Sequence, residues 1–252
     1  MIEIINLTKR YGNITAIANL DLTIPSGQFF GFLGPNGAGK TTTIKTLAGL
    51  LKPTSGTVKV DGIDVQKNPI QAKRVLGFIP DKPFIYEKLT GREFLQFVAG
   101  LYEVNEHEVE NRIAQLLDLF ELTDWANELV ESYSHGMRQK TVMSAALIHQ
   151  PKVLVVDEPM VGLDPKGARQ VKKIFRDLCD QGVTIFMSTH TLEIAEQMCD
   201  HIAIIQKGRI IAQGTMDELR ALAQTDLASL EDIFLDLTGG YEMKDVIEFL
   251  KQ

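Results

Sequence analysis

The sequence predicts an α/β fold, a mixed sheet core with an antiparallel β portion at the N-terminus and an inserted α-helical portion. Three observations point there. The apolar run Phe29-Phe30-Gly31-Phe32-Leu33 leads into the glycine-rich stretch Gly34-Pro35-Asn36-Gly37-Ala38-Gly39-Lys40-Thr41, and Ile44, Leu47, Ala48 and Leu51 then fall at helical spacing. Two further apolar runs, Val153-Leu154-Val155-Val156 and Thr184-Ile185-Phe186-Met187, enclose a helix-patterned stretch at 167–179, the rhythm of a parallel sheet. Between about residues 90 and 150 the apolar period is helical throughout.

Taken in order, residues 2–7 and 20–24 alternate apolar and polar side chains around the turn residues Tyr11-Gly12-Asn13, so the opening reads as antiparallel. The two-sided sheet begins at Phe29. The helix after the glycine-rich stretch ends near Gly49, residues 57–60 form a strand closed by Asp61-Gly62, and the apolar run 75–79 is stopped by Pro80. The helical insert covers about 82–150, with Phe94, Phe97, Val98 and Leu101 on one stripe and Ile113, Leu116, Leu117 and Phe120 on the next. Residues 202–205 and 209–212, joined through Lys207-Gly208, read as closing strands, and 216–223 as a helix. One main domain over 1–225 is thus followed by a helical tail over 226–252. There Met243, Val246, Ile247 and Leu250 share a face suited to packing on the domain, with recruitment of a partner as the alternative.

Composition narrows the class. The chain has 252 residues, 44% hydrophobic and 23% charged, enough for one sizeable core with an insert. A net charge of −7 offers no broad footprint for nucleic acid. Two cysteines, Cys179 and Cys199, have neither pairing nor metal-ligand spacing and suit a reducing compartment. The first residues lack a basic region followed by an apolar core, and no stretch approaches the ~18 apolar residues of a membrane span. A cytoplasmic protein is expected. If it serves a membrane process, another chain must cross the bilayer.

The glycine-rich stretch reads G-x-x-x-x-G-K-T, the Walker A pattern. Its glycines let backbone N–H groups turn around an anion, the following helix points its positive end at the same place, and Lys40 adds a full charge for the β- and γ-phosphates. Thr41 is placed to offer its hydroxyl to Mg²⁺. The competing reading is a plain turn with an exposed lysine. Downstream, Val153-Leu154-Val155-Val156-Asp157-Glu158 ends a buried strand in two acids, a Walker B pattern at the sheet edge where ligands of open α/β sheets bind. Asp157 would hold Mg²⁺, usually through water. Glu158 would orient or deprotonate the water that attacks the γ-phosphate.

Between these motifs, Tyr133-Ser134-His135-Gly136-Met137 resembles the Leu-Ser-Gly-Gly-Gln signature of the ATP-binding-cassette ATPases, keeping Ser134 and Gly136 and departing at three positions. Gly162-Leu163-Asp164-Pro165 resembles the family's D-loop, Ser188-Thr189-His190 its switch histidine, and Tyr11 the aromatic that stacks on adenine, against the alternative of a hairpin-edge tyrosine. The resemblance runs from about residue 2 to 239. It implies a P-loop NTPase fold with ATP and Mg²⁺ as cofactors. Tyr11, Gly34, Pro35, Asn36, Gly37, Ala38, Gly39, Lys40, Thr41 and Thr42 would contact the nucleotide, Glu158 and His190 would be catalytic, and Thr41 and Asp157 would face the metal. Where the family has a glutamine, this sequence has Asp81, which can face a cation but cannot donate an amide hydrogen bond. Asp81 is therefore expected on the metal side, with a surface or capping role as the alternative.

Family members bind two ATP molecules between two domains packed head to tail. The resemblance thus assigns Ser134 and Gly136 to the neighbour's site and Asp164 to the dimer contact, whether the neighbour is a second copy or a relative. It implies the energy-coupling ATPase of a transporter, of bacterial exporter type, peripheral to the inner face of the membrane through permease subunits on a separate chain. Phe84, Ile85 and Tyr86 would form either an exposed docking cluster or a buried wedge. A soluble ATPase of the same family is the alternative; a guanine-specific enzyme is disfavoured because the Asn-Lys-x-Asp motif is missing.

Overall fold

The computed structural model describes residues 1–222 and 229–238. The chain runs through β1 (Ile2–Tyr11), β2 (Ile14–Ile24), β3 (Phe29–Leu33), α1 (Lys40–Leu47), β4 (Ser55–Val60), β5 (Ile63–Asp64), α2 (Pro69–Arg74), β6 (Leu76–Ile79), α3 (Gly91–Leu101), α4 (Glu106–Leu119), α5 (His135–Leu147), β7 (Val153–Asp157), α6 (Pro165–Asp180), β8 (Thr184–Ser188), α7 (Leu192–Met198), β9 (His201–Gln206), β10 (Arg209–Gly214), α8 (Met216–Leu222) and α9 (Leu230–Thr238). Two sheets result. An antiparallel one has the order β2-β1-β4-β5, and a mixed one the order β10-β9-β3-β8-β7-β6, parallel except for β10.

The mixed sheet explains why β3, β7 and β8 read as uninterrupted apolar runs: all their residues are buried, because both faces are covered. Alternate side chains enter different cores, as the period-2 pleat requires. Phe30, Phe32, Val153, Val155 and Phe186 meet α1 and the antiparallel sheet, whereas Phe29, Leu154, Val156, Ile185 and Met187 meet α5, α6 and the insert. Stacking of Phe30 on Phe186 at 5.9 Å cements the first of these. A third cluster joins Leu33 and β9 to α8 and α9 through Leu219, Leu230 and Ile233. Cys179 and Cys199 are both free.

The structure extends the expected opening hairpin to its turn. It adds β5, α2 and α7, which are too short or too weakly periodic to read from sequence, and it has α9 within the stretch expected to be a helical tail. In the insert, Phe94 and Ile113 are buried, but Phe97 and Leu101 are exposed, so the α3 stripe faces solvent along one edge. Ile85 packs on the core, while Phe84 and Tyr86 stay exposed and touch edge to face at 6.1 Å. The stripe Met243, Val246, Ile247 and Leu250 lies outside the described residues.

Candidate active site

The C-terminal ends of the parallel strands build the site. β3 delivers the chain to Gly34, and the loop 34–39 returns it into α1, whose first residue is Lys40. Glycine is required here for two distinct reasons. Gly39 sits at φ +114°, and a Cβ on it would lie 2.7 Å from the Ala16 carbonyl oxygen. Gly34 is crowded instead: its Cβ would meet the Ile205 side chain at 2.8 Å. The first N–H groups of α1 have no intrahelical acceptor, so the loop presents donors and the positive helix end together. The Lys40 Nζ donates to the carbonyls of Gly34 at 2.5 Å and Pro35 at 3.3 Å, folding the ammonium over the loop. Burial holds it below the usual lysine range, opposed by the carboxylates of Glu158 and Asp157.

At the end of β7, Asp157 is buried and accepts a hydrogen bond from the Ser188 hydroxyl, its register partner on β8. Burial pushes its carboxyl above the usual carboxylate range and the charges of Asp81 and Glu158 act the same way, while the Ser188 donor and Lys40 pull it down. Glu158 follows at φ +50°, a left-handed turn that is uncommon for a residue with a side chain. Its carboxylate is held at both oxygens: His190 Nδ1 donates to Oε1 at 2.8 Å and the Thr189 hydroxyl to Oε2 at 3.1 Å.

These groups face one open cleft of about 360 Å³, lined by Ala16, residues 35–42, Asp81, Asp157, Glu158 and His190, a size that small-molecule sites commonly have. The cleft therefore gathers every expected cis contact except Gly34, which lies at the root of the loop beside it, and Tyr11. That ring is half-exposed at the end of β1 with the Lys9 ammonium 5.1 Å from its centroid, and it does not line the cleft. Three residues with no role assigned from sequence contribute: Ala16 supplies wall, and Ser188 and Thr189 hold the two acids. The hydroxyls immediately before His190 were the available signal.

Ser134, Gly136 and Asp164 collect elsewhere. Ser134 caps α5, accepting from the Met137 N–H at 3.2 Å, and Asp164 caps α6, accepting from the Gly167 N–H at 3.1 Å. A Cβ on Gly136 would lie 3.3 Å from the Gly162 carbonyl oxygen, and the His135 ring occupies the space a side chain on Gly162 would need. The signature stretch and the 162–164 loop thus form one continuous patch apart from the cleft. Among the groups lining the cleft, Thr41, Asp81 and Asp157 offer hard oxygen donors, which suit a cation that keeps most of its waters and binds phosphates. Among the described residues no group of three or more His, Cys, Asp or Glu side chains could hold a metal ion by itself. No helix among the described residues is long and apolar enough to cross a membrane.

Comparison with known proteins agrees with this geometry. The family model described as ABC transporter matches residues 17–161. The daunorubicin/doxorubicin resistance ATP-binding protein DrrA of Streptomyces peucetius is 41% identical over 220 residues, 87% of this chain and 67% of that protein. A solved ATP-binding subunit of an ABC transporter superposes with a TM-score of 0.90 at 32% identity, covering 94% of this chain and 99% of the other. The cassette MJ0796, solved as a dimer in a post-hydrolysis state with ADP and Pi, superposes with a TM-score of 0.78 at 26% identity, covering 86% and 99%. With a phosphate loop, two held acids and a histidine on one cleft, and transporter ATP-binding proteins as its relatives, the chain belongs to the ABC transporter family as an ATP-binding, ATP-hydrolysing subunit.

Proposed function

We propose that this subunit hydrolyses Mg-ATP at sites shared between two cassettes, and that closure of the pair drives export through permease subunits on separate chains. The observation that carries the reading is the division of the motifs. Lys40, Asp157, Glu158 and His190 meet in one cleft, whereas Ser134, Gly136 and Asp164 form a second patch. A cleft open on one side supplies γ-phosphate donors from that side alone; a capped helix start with free N–H groups would supply the other. The dimeric state of MJ0796 supports the pairing.

Residues 34–41 bind and orient the phosphates, Thr42 is a further nucleotide contact in the cleft, and Tyr11, outside the cleft lining at the end of β1, is the remaining one. Thr41 and Asp157, with Asp81, would hold Mg²⁺, which when bound neutralises charge developing between the phosphates. Glu158 takes a proton from the attacking water at its carboxylate. His190 and Thr189 fix that carboxylate by donating to its two oxygens, which leaves its remaining lone pairs for the water. Residues 1–225 make up the ATPase unit.

For the permease, a groove of about 350 Å³ between the sheet and the insert, lined by Leu50, Lys73, Phe78, Phe84, Val98 and Tyr102, offers the apolar seat. Phe84 is 79% exposed beside it. Docking there would place the chain on the inner face of the membrane. The name of DrrA as a resistance protein supports export over import. Glu158→Gln tests the shared site: it should lower turnover by about 10²-fold or more, the usual weight of a general base, and trap an ATP-bound dimer on size exclusion. A Glu158→Gln protein that stays monomeric and hydrolyses ATP normally would overturn it.

A further inference from the structure

We propose that Phe234, on α9, is a positioning residue for the switch histidine, so that the helix beyond the closing strands sets the rate of ATP hydrolysis. The proposal rests on the catalytic reading of His190 given above. Beside the nucleotide cleft lies a small cavity of about 230 Å³, bounded by the phosphate loop at 34–36 and by Thr189 and His190, and closed by Leu192 and Phe234. His190 needs a second wall. Its side chain is 65% exposed and its ring is tied by one edge to Glu158.

The helix that carries Phe234 is tied at both ends. At the start of α9 the Leu230 N–H donates to the Glu196 carboxylate of α7 at 3.2 Å, and at its end the Thr238 carbonyl accepts from the Gln206 amide of β9 at 3.0 Å. Between these ties, Leu230 and Ile233 are fully buried in a cluster with Leu33, and Leu192, Phe234 and Leu237 pack against it. Leu33 is the residue before Gly34, and Leu192 follows His190 by two positions. One apolar cluster therefore joins the root of the phosphate loop, the root of the switch loop and α9. A rigid helix braced in this way restrains both walls of the cavity relative to each other, which is the kind of support that keeps catalytic groups in productive geometry. The alternative is that Phe234 only fills space.

The two are separated by single-turnover rates measured with protein in excess, alongside thermal midpoints. Phe234→Ala should slow hydrolysis about tenfold, within the range a small misplacement remote from the chemistry produces, while KM for ATP stays within about twofold. Phe234→Leu should recover most of the rate. Leu237→Ala removes a side chain from the same cluster away from the cavity, and should lower the thermal midpoint with the rate kept. Because Phe234 acts through His190, Phe234→Ala should add nothing in a His190→Ala background. An unchanged rate in Phe234→Ala, an equal loss in Leu237→Ala, or the full tenfold loss persisting without His190 would each overturn the positioning role. Full turnover by His190→Ala alone would instead refute the role of His190 itself, and the proposal with it.

Discussion

Removing a single half-buried histidine should flatten the pH dependence of stability. His149 follows α5, where its ring stacks on Tyr102 with centroids 3.8 Å apart and planes 9° apart. Its Nε2 donates to the Leu76 carbonyl of β6 at 3.1 Å, which fixes the tautomer and leaves Nδ1 as a bare acceptor, buried without a partner among the described residues. Protonation would place an unpaired N–H there. Burial accordingly pushes the imidazole down to about 4, against the opposite pull of the Leu76 contact. The unfolded chain takes up the proton near 6.5 and the folded chain not until about 4. The contribution is thus complete above pH 6.5, declines as pH falls through that window, and is gone below it. At 1.36 kcal/mol per tenfold, the whole gap corresponds to about 3 kcal/mol, of which about 2 kcal/mol has gone by pH 5. Urea unfolding of the wild type and His149→Phe at pH 7 and pH 5 checks this, since phenylalanine keeps a stacking plane without a titrating nitrogen. The acid-induced loss should be smaller in the variant by about 2 kcal/mol. Equal losses in the two proteins would show that His149 titrates normally and that the lashing of the insert to β6 does not depend on its neutral form.

Asp81→Ala should cut turnover about tenfold while changing ATP affinity by less than about threefold, the pattern of a contact that matters more in the transition state than in binding; equal kcat in a steady-state assay would remove Asp81 from the site. Gly39→Ala should weaken ATP binding by about tenfold or more in a calorimetric titration, since a side chain at φ +114° costs about 1–3 kcal/mol before the clash with the Ala16 carbonyl is counted.

Much of this was legible before any coordinates because the chemistry is local. A phosphate cradle needs closely spaced glycines, a lysine and a hydroxyl, and those must be near neighbours in the chain. The strands behind it are buried on both faces, so β3, β7 and β8 are continuous apolar runs that advertise themselves. What escaped was set by distant partners. Ser188 supports Asp157 only because β8 lies beside β7 in register, and nothing in a serine says which acid it will face. Phe97 and Leu101 obey a helical period, yet both are exposed, because periodicity reports a helix and its stripe but not what covers it. α9 falls in the expected helical tail, but where it packs is decided by Glu196 and Gln206, neither near it in sequence.

The shared-site reading can be tested without a structure of the pair, because two different lesions fall in different pockets. Lys40→Ala disables the cleft of its own chain, where the ammonium lines the phosphate loop. Ser134→Ala disables the patch that serves the neighbour, at a cost of about 1 kcal/mol for the lost α5 cap. In a head-to-tail pair of one chain of each kind, both lesions fall in one pocket and the other pocket is intact. Two inactive preparations mixed in equal amounts should therefore recover about a quarter of wild-type turnover if second copies pair at random. If Ser134 acted within its own chain, every pocket in the mixture would carry a lesion and the mixture would stay as inactive as its parts.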